Sequence, residues 1–201
     1  MKFSPLPFIY LLILATSVLS SKGQEAVQIL TKSFEQNISL QGVDFLIQCP
    51  NQGSVNTLTI TPSGLEGAND PIVVTIMGTV TNAEVDDLDA NGFPEVYVYV
   101  QSAGSGSHGS LVAYACNQKK SLTPIFLPEL TEDKENSKGY MGHDQFAVGE
   151  GSLLRRFPIY HPADSNNKIS GKISGKTRQL QYKLKAGEAG WILRLDRSME
   201  Y

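Results

Sequence analysis

Short runs of side chains alternating with a period of two, broken by turn residues, constrain this chain more than any other feature. Val55 to Thr61 sets Val55, Thr57, Thr59 and Thr61 against Asn56, Leu58 and Ile60. Glu95 to Gln101 sets Val96, Val98 and Val100 against Tyr97 and Tyr99. A strand points successive side chains to opposite faces, whereas a helix would scatter the same order around its axis. Leu111 to Cys116, Ser152 to Tyr160, Thr177 to Lys185 and Trp191 to Asp196 have the same character. Turn residues separate the runs: Pro50-Asn51-Gln52-Gly53, Pro62-Ser63-Gly64, Asn91-Gly92 and Ala186-Gly187-Glu188-Ala189-Gly190. The last of these predicts a C-terminal hairpin. Helical patterning is confined to Glu25–Phe34, which also reads as a leading strand. The expected fold is all-β, a single antiparallel sandwich or flattened barrel. Leu127–Gly142 and Pro162–Lys176 read as long polar loops, the second carrying a tandem Ile-Ser-Gly-Lys at 169–172 and 173–176.

Residues 1–23 have the order of a signal peptide: Lys2, then the apolar run Pro7 to Ala15, then small residues. That run is too short to span a bilayer. Residues 24–201 are therefore expected as one domain, periplasmic or secreted, without membrane insertion. In an oxidising compartment Cys49 and Cys116, the only two cysteines, are expected as a disulfide. Closing so long a loop is worth roughly 4 kcal/mol on chain-entropy grounds. Two buried free thiols are the alternative. With 17 Lys+Arg against 20 Asp+Glu, a net charge of −3 and no basic run, the chain lacks the clustered cations that nucleic-acid binding requires.

Two stretches carry candidate chemistry. Ser102-Ala103-Gly104-Ser105-Gly106-Ser107-His108-Gly109-Ser110 joins two convincing strands with small residues and one imidazole. Gly104, Gly106 and Gly109 have the spacing of a phosphate loop, but an alternating strand follows where a dinucleotide site needs a helix. The loop reads instead as a protrusion on a flexible glycine shank. Its Ser105, Ser107 and His108 could hydrogen-bond inside a partner's cleft. The second stretch runs from Asp87 to Glu95, with oxygen ligands at Asp87, Asp89 and Asn91, a bend at Gly92 and a closing carboxylate at Glu95. That pattern suits a hard cation such as calcium and resembles the shorter calcium loops that precede strands in propeller repeats. Val98 stands where an EF-hand needs its closing glutamate, and no further copies recur at a fixed period. An ordinary Asx and Asn-Gly turn is the simpler account. His108, His143 and His161 lack metalloprotease spacing, no serine lies in a G-x-S-x-G elbow, and no enzyme is expected. His143-Asp144 reads as a surface pair.

Ser105-Gly106-Ser107-His108 stands where bacterial lysozyme inhibitors carry a loop of S-G-x-Y type. Gln52 to Ile60, Pro94 to Val100, Lys138 to Asp144 and Gly187 to Trp191 extend the likeness. Over nearly all of residues 24–201 the chain resembles the periplasmic inhibitors of invertebrate-type lysozyme. The resemblance implies an antiparallel sandwich-like fold, a homodimer, and insertion of this loop into the lysozyme active-site cleft. His108 replaces the family's Tyr, so only Ser105 carries over directly. A lysozyme cleft presents one protonated and one ionised carboxyl, to either of which a serine hydroxyl can hydrogen-bond. Net negative charge would steer the chain toward cationic lysozymes. Lys119 and Lys120 could add a second contact, though an ordinary solvated turn is the simpler account. A calcium-dependent cell-surface or glycan-binding module, organised by Asp87, Asp89, Asn91 and Glu95, is the alternative function.

Overall fold

A computed structural model describes residues 33–161, 171–188 and 190–201. The expected leader and most of the Glu25–Phe34 segment lie outside the described residues. Four strands, β1 (Phe34–Leu40), β2 (Val43–Cys49), β3 (Asn56–Ser63) and β4 (Ile72–Ile76), form one antiparallel sheet in chain order. Eight more follow: β5 (Thr79–Asp86), β6 (Glu95–Gln101), β7 (Gly109–Asn117), β8 (Ser121–Phe126), β9 (Gln145–Gly149), β10 (Ser152–Tyr160), β11 (Ile173–Ala186) and β12 (Trp191–Glu200). They pair in the order β5-β6-β7-β8-β12-β11-β10-β9. This second sheet curls until it is nearly a closed barrel, its outer strands β5 and β9 coming alongside each other. The fold is all-β, as expected. Among the described residues, the one pairing that departs from the antiparallel expectation joins β8 to β12 in parallel, with Trp191 opposite Ile125.

Two cores result, and β6 serves both. Val96, Val98 and Val100 face the four-stranded sheet, where they meet Val43, Phe45, Ile47, Leu58 and Ile60. Tyr97 and Tyr99, one residue out of phase, face the barrel interior with Leu153, Phe157, Leu180, Leu184 and Leu193. The alternation of Val and Tyr therefore marks a strand buried on both faces, not one with a wet side. On β3 the alternation sorts as read: Asn56, Leu58 and Ile60 are buried, while Thr57 is exposed. The C-terminal hairpin forms as β11 and β12, closed by the Gly187 N–H donating to the Gly190 carbonyl at 2.7 Å.

Two expectations are corrected, and a third holds with detail added. Ile173–Lys176, half of the tandem repeat, belongs to β11 and not to a loop. The Leu127–Gly142 segment is a loop without strands, as expected, and it is tightly organised, with a 3-10 turn at Leu130–Glu132. Asp133 accepts the Glu135 and Asn136 N–H groups, and Arg178 donates to the Asn136 and Lys138 carbonyls. Finally, Cys49 and Cys116 are not bonded. Both are free thiols buried in the sandwich core among Val and Ile side chains, where a thiol behaves as a small apolar group. Burial pushes the Cys116 thiol up, so it stays protonated and inert.

This topology separates the candidate sites. The β6–β7 connection lies at one end of these strands. The β5–β6 connection, holding the acidic stretch, lies at the other end with the β7–β8 turn.

Candidate functional site

The loop between β6 and β7 owes its shape first to its own backbone. The Ser102 N–H donates to the His108 carbonyl at 2.9 Å. The His108 N–H donates to Ser102 Oγ at 2.9 Å, which closes the neck. Within the loop the Ser107 N–H donates to the Gly104 carbonyl at 2.9 Å. This turn holds Ser107 at a left-handed φ of 43°, a conformation that side chains other than glycine adopt at a cost.

A second segment, residues 139–144, braces the loop from outside. The His143 N–H donates to the Gly106 carbonyl at 2.9 Å and to the Ser107 carbonyl at 3.1 Å. Gly142, at φ 89°, lies so close that a Cβ there would sit 1.8 Å from the Gly106 oxygen. Only glycine permits that approach. Gly106 and Gly109 are close-approach positions too: added Cβ atoms would meet the His108 ring at 2.4 Å and Asp144 Cβ at 2.5 Å respectively. The glycines expected as a flexible shank thus let two backbones and a carboxylate come together; the loop is braced, not loose.

Beneath the brace lies a buried polar hub that the sequence reading missed. Asp144 Oδ2 accepts from the Gly109 N–H at 2.7 Å and the Tyr140 hydroxyl at 2.6 Å, and Oδ1 accepts from Arg155 Nε at 2.7 Å. The Asp144 side chain is 0% exposed and that of Arg155 6%. The Arg155 guanidinium also donates to the Tyr140 hydroxyl at 2.9 Å and lies over the rings of Tyr140 and Phe146. Burial opposes the charge on Arg155, but the adjacent Asp144 outweighs it, and the guanidinium holds its proton more tightly than usual. Burial, then the bond to Asp144, pushes the Tyr140 hydroxyl up, so it remains a neutral donor. His143-Asp144 is therefore not a surface pair. A sequence signal did exist: Leu153, Arg155 and Phe157 share one strand phase, and that phase faces inward.

Above this base the loop tip is open. Ala103, Gly104 and Ser105 are exposed, and the Ser105 side chain makes no hydrogen bond to the described residues. His108, also exposed, sets its ring edge-on against Tyr140 at 5.5 Å. Ser105 and His108 are thus presented from the same braced loop, together with Gly106 and Ser107. Lys119 and Lys120 are not brought to it. They occupy the β7–β8 turn, nine strand residues away, which is about 30 Å at the usual rise. There the Lys119 carbonyl accepts from the Glu66 N–H at 2.7 Å, an ordinary turn contact. The second contact expected from them does not share the loop's end of the molecule.

The acidic stretch forms a compact turn. Asp87 accepts from the Asn91 and Gly92 N–H groups, both at 2.9 Å. Asp89 accepts from the Asn91 N–H at 3.1 Å and from its side-chain amide at 2.9 Å. The Asn91 side-chain oxygen accepts from the Phe93 N–H at 2.8 Å. Glu95 Oε2 accepts from the Leu88 N–H at 2.8 Å. Asp87, Asp89 and Glu95 each place a carboxylate oxygen within 4.8 Å of the others. Burial, and then the charges of Asp89 and Asp87, push the Glu95 carboxyl up to about 8. No helix among the described residues is long and apolar enough to cross a membrane. No family model, curated protein or solved structure matches this chain.

Proposed function

We propose that this protein is an exported inhibitor of invertebrate-type lysozyme whose β6–β7 loop enters the enzyme's active-site cleft. The observation that carries the reading is the contrast within that loop. Its tip is exposed, with the Ser105 hydroxyl uncommitted among the described residues, while its flanks are held by Asp144, His143 and the Ser102–His108 pair. A loop already ordered before binding loses little conformational entropy on insertion, which favours affinity at a given contact area. Ser105 would hydrogen-bond to a cleft carboxyl. His108, supported by the Tyr140 ring, would make the fourth contact in place of the family's Tyr. The resemblance to the lysozyme-inhibitor family supports the same assignment.

The test is the clearing of a bacterial cell-wall suspension by invertebrate-, chicken- and goose-type lysozymes, with and without the purified protein. Inhibition is expected for the invertebrate-type enzyme and is expected to survive chelator. Ser105→Ala should weaken inhibition at least tenfold while melting at the parent's temperature, because exposed substitutions stay within about 0.5 kcal/mol. Full clearing by all three enzymes in the presence of the protein overturns the proposal.

A further inference from the structure

Glu95 is the residue that the proposed inhibitor leaves unexplained. It opens β6 in phase with Tyr97 and Tyr99, so its side chain points into the barrel end and is 0% exposed. One oxygen is engaged by the Leu88 N–H and, at 3.4 Å, the Tyr97 hydroxyl. The other, Oε1, is the one buried side-chain polar atom without a hydrogen-bond partner among the described residues. Buried acceptors are almost always satisfied, so an orphaned carboxylate oxygen marks a place where a partner belongs. Oxygens of Asp87 and Asp89 converge on the same carboxylate.

We propose that Asp87, Asp89 and Glu95 bind one calcium ion, which fastens the β5–β6 connection to the start of β6. Three carboxylates and no nitrogen or sulfur donor form a hard-cation set and do not suit zinc or copper. The backbone holds these ligands in place before any ion arrives: the Asn91 and Gly92 N–H groups fix the Asp87 carboxylate, and the Asn91 amide fixes that of Asp89. Calcium takes six to eight oxygens in adaptable geometry, so three carboxylates leave room for loop carbonyls and water. Magnesium demands a regular octahedron and gives up its own water reluctantly. The seven residues of β6 separate this site from the inhibitor loop, so the ion stabilises the scaffold and takes no part in the proposed contact with lysozyme.

The experiment compares thermal melting of the purified protein, stripped with chelator, after addition of calcium or magnesium, alongside terbium luminescence excited through tyrosine. Tyr97, in contact with Glu95, is placed to sensitise a terbium ion at the site. Calcium at a hundredfold excess over its dissociation constant should raise the melting temperature by about 5–10 °C. Terbium emission should appear and be displaced by calcium. Glu95→Gln keeps the shape and the bond from Leu88 but removes the charge, and should abolish both responses. Asp89→Asn, at a partly exposed position, should weaken calcium binding at least tenfold and serves if Glu95→Gln fails to fold. The proposal is overturned if 10 mM calcium moves neither signal, if magnesium acts as strongly, or if Asp89→Asn binds as the parent does.

Discussion

Asp144 joins parts of the chain that sequence distance keeps apart. Its two oxygens receive a backbone N–H from β7, a hydroxyl from the bracing segment and a guanidinium from β10. A buried ion pair is weak evidence for net stabilisation, since desolvating both charges offsets much of their attraction. Deleting one partner is a different matter, because the survivor remains buried and uncompensated. Asp144→Ala should therefore cost about 3–5 kcal/mol, lowering the melting temperature by about 10 °C for a domain of this size. Calorimetry reads this directly. A loss under 1 kcal/mol would show that Arg155 finds another partner or reaches water. Ser105→Ala, on the same loop, should leave stability unchanged, so the two variants separate what builds the loop from what it presents.

The β6–β7 hairpin and the 139–144 segment behave as one element, and their contact can be tested at Gly142. A methyl group there cannot fit against the Gly106 carbonyl, and φ 89° disfavours alanine in any case. Gly142→Ala should leave the sheet intact, shown by an unchanged far-ultraviolet spectrum. It should release the loop, raising amide exchange at Gly106–Gly109 and weakening lysozyme inhibition at least tenfold. Retained inhibition with a released loop would remove the bracing from the proposed mechanism. The sequence announced β6 and β10 to the residue, because Glu95–Gln101 and Ser152–Tyr160 combine β-branched or aromatic side chains with clean turn residues on either side. It did not announce β4, β5, β8 or β9, which are short or mixed in pattern and become strands through pairing with a neighbour. β1 and β2 do alternate, with Phe34, Ile38 and Leu40 and then Val43, Phe45, Ile47 and Cys49 on the inner side, a period-two signal that the reading passed over. The candidate loop was legible as small residues between two strands. Its brace was not, because contacts between Gly106 and His143 or Gly109 and Asp144 are set by tertiary approach, which no local pattern encodes. The disulfide expectation failed for a related reason: compartment and parity say that two thiols can pair, but only packing decides whether they do.

At the scale of the whole molecule, the barrel-like sheet must manage the seam between its outer strands. Unpaired strand edges invite association, and full closure is what removes them. Here β5 and β9 are not joined by a continuous ladder; Glu84 bridges them. Its Oε2 accepts the Val148 N–H of β9 at 3.1 Å and the Tyr99 hydroxyl of β6 at 2.5 Å. One carboxylate thus stands in for a missing strand-to-strand bond and anchors a core tyrosine. This arrangement lets the sheet curl round its aromatic interior without the exact register that a closed barrel demands. Glu84→Ala should remove both bonds and leave the Tyr99 hydroxyl without its acceptor, a loss of about 2 kcal/mol and about 4–8 °C in melting temperature. The specific signature is local: exchange of the Val148 amide should accelerate at least tenfold while amides in β2 and β3 keep their protection relative to global unfolding. Uniform acceleration across both sheets would mean that the seam is not a separate cooperative unit, and unchanged exchange at Val148 would mean that Glu84 does not hold it.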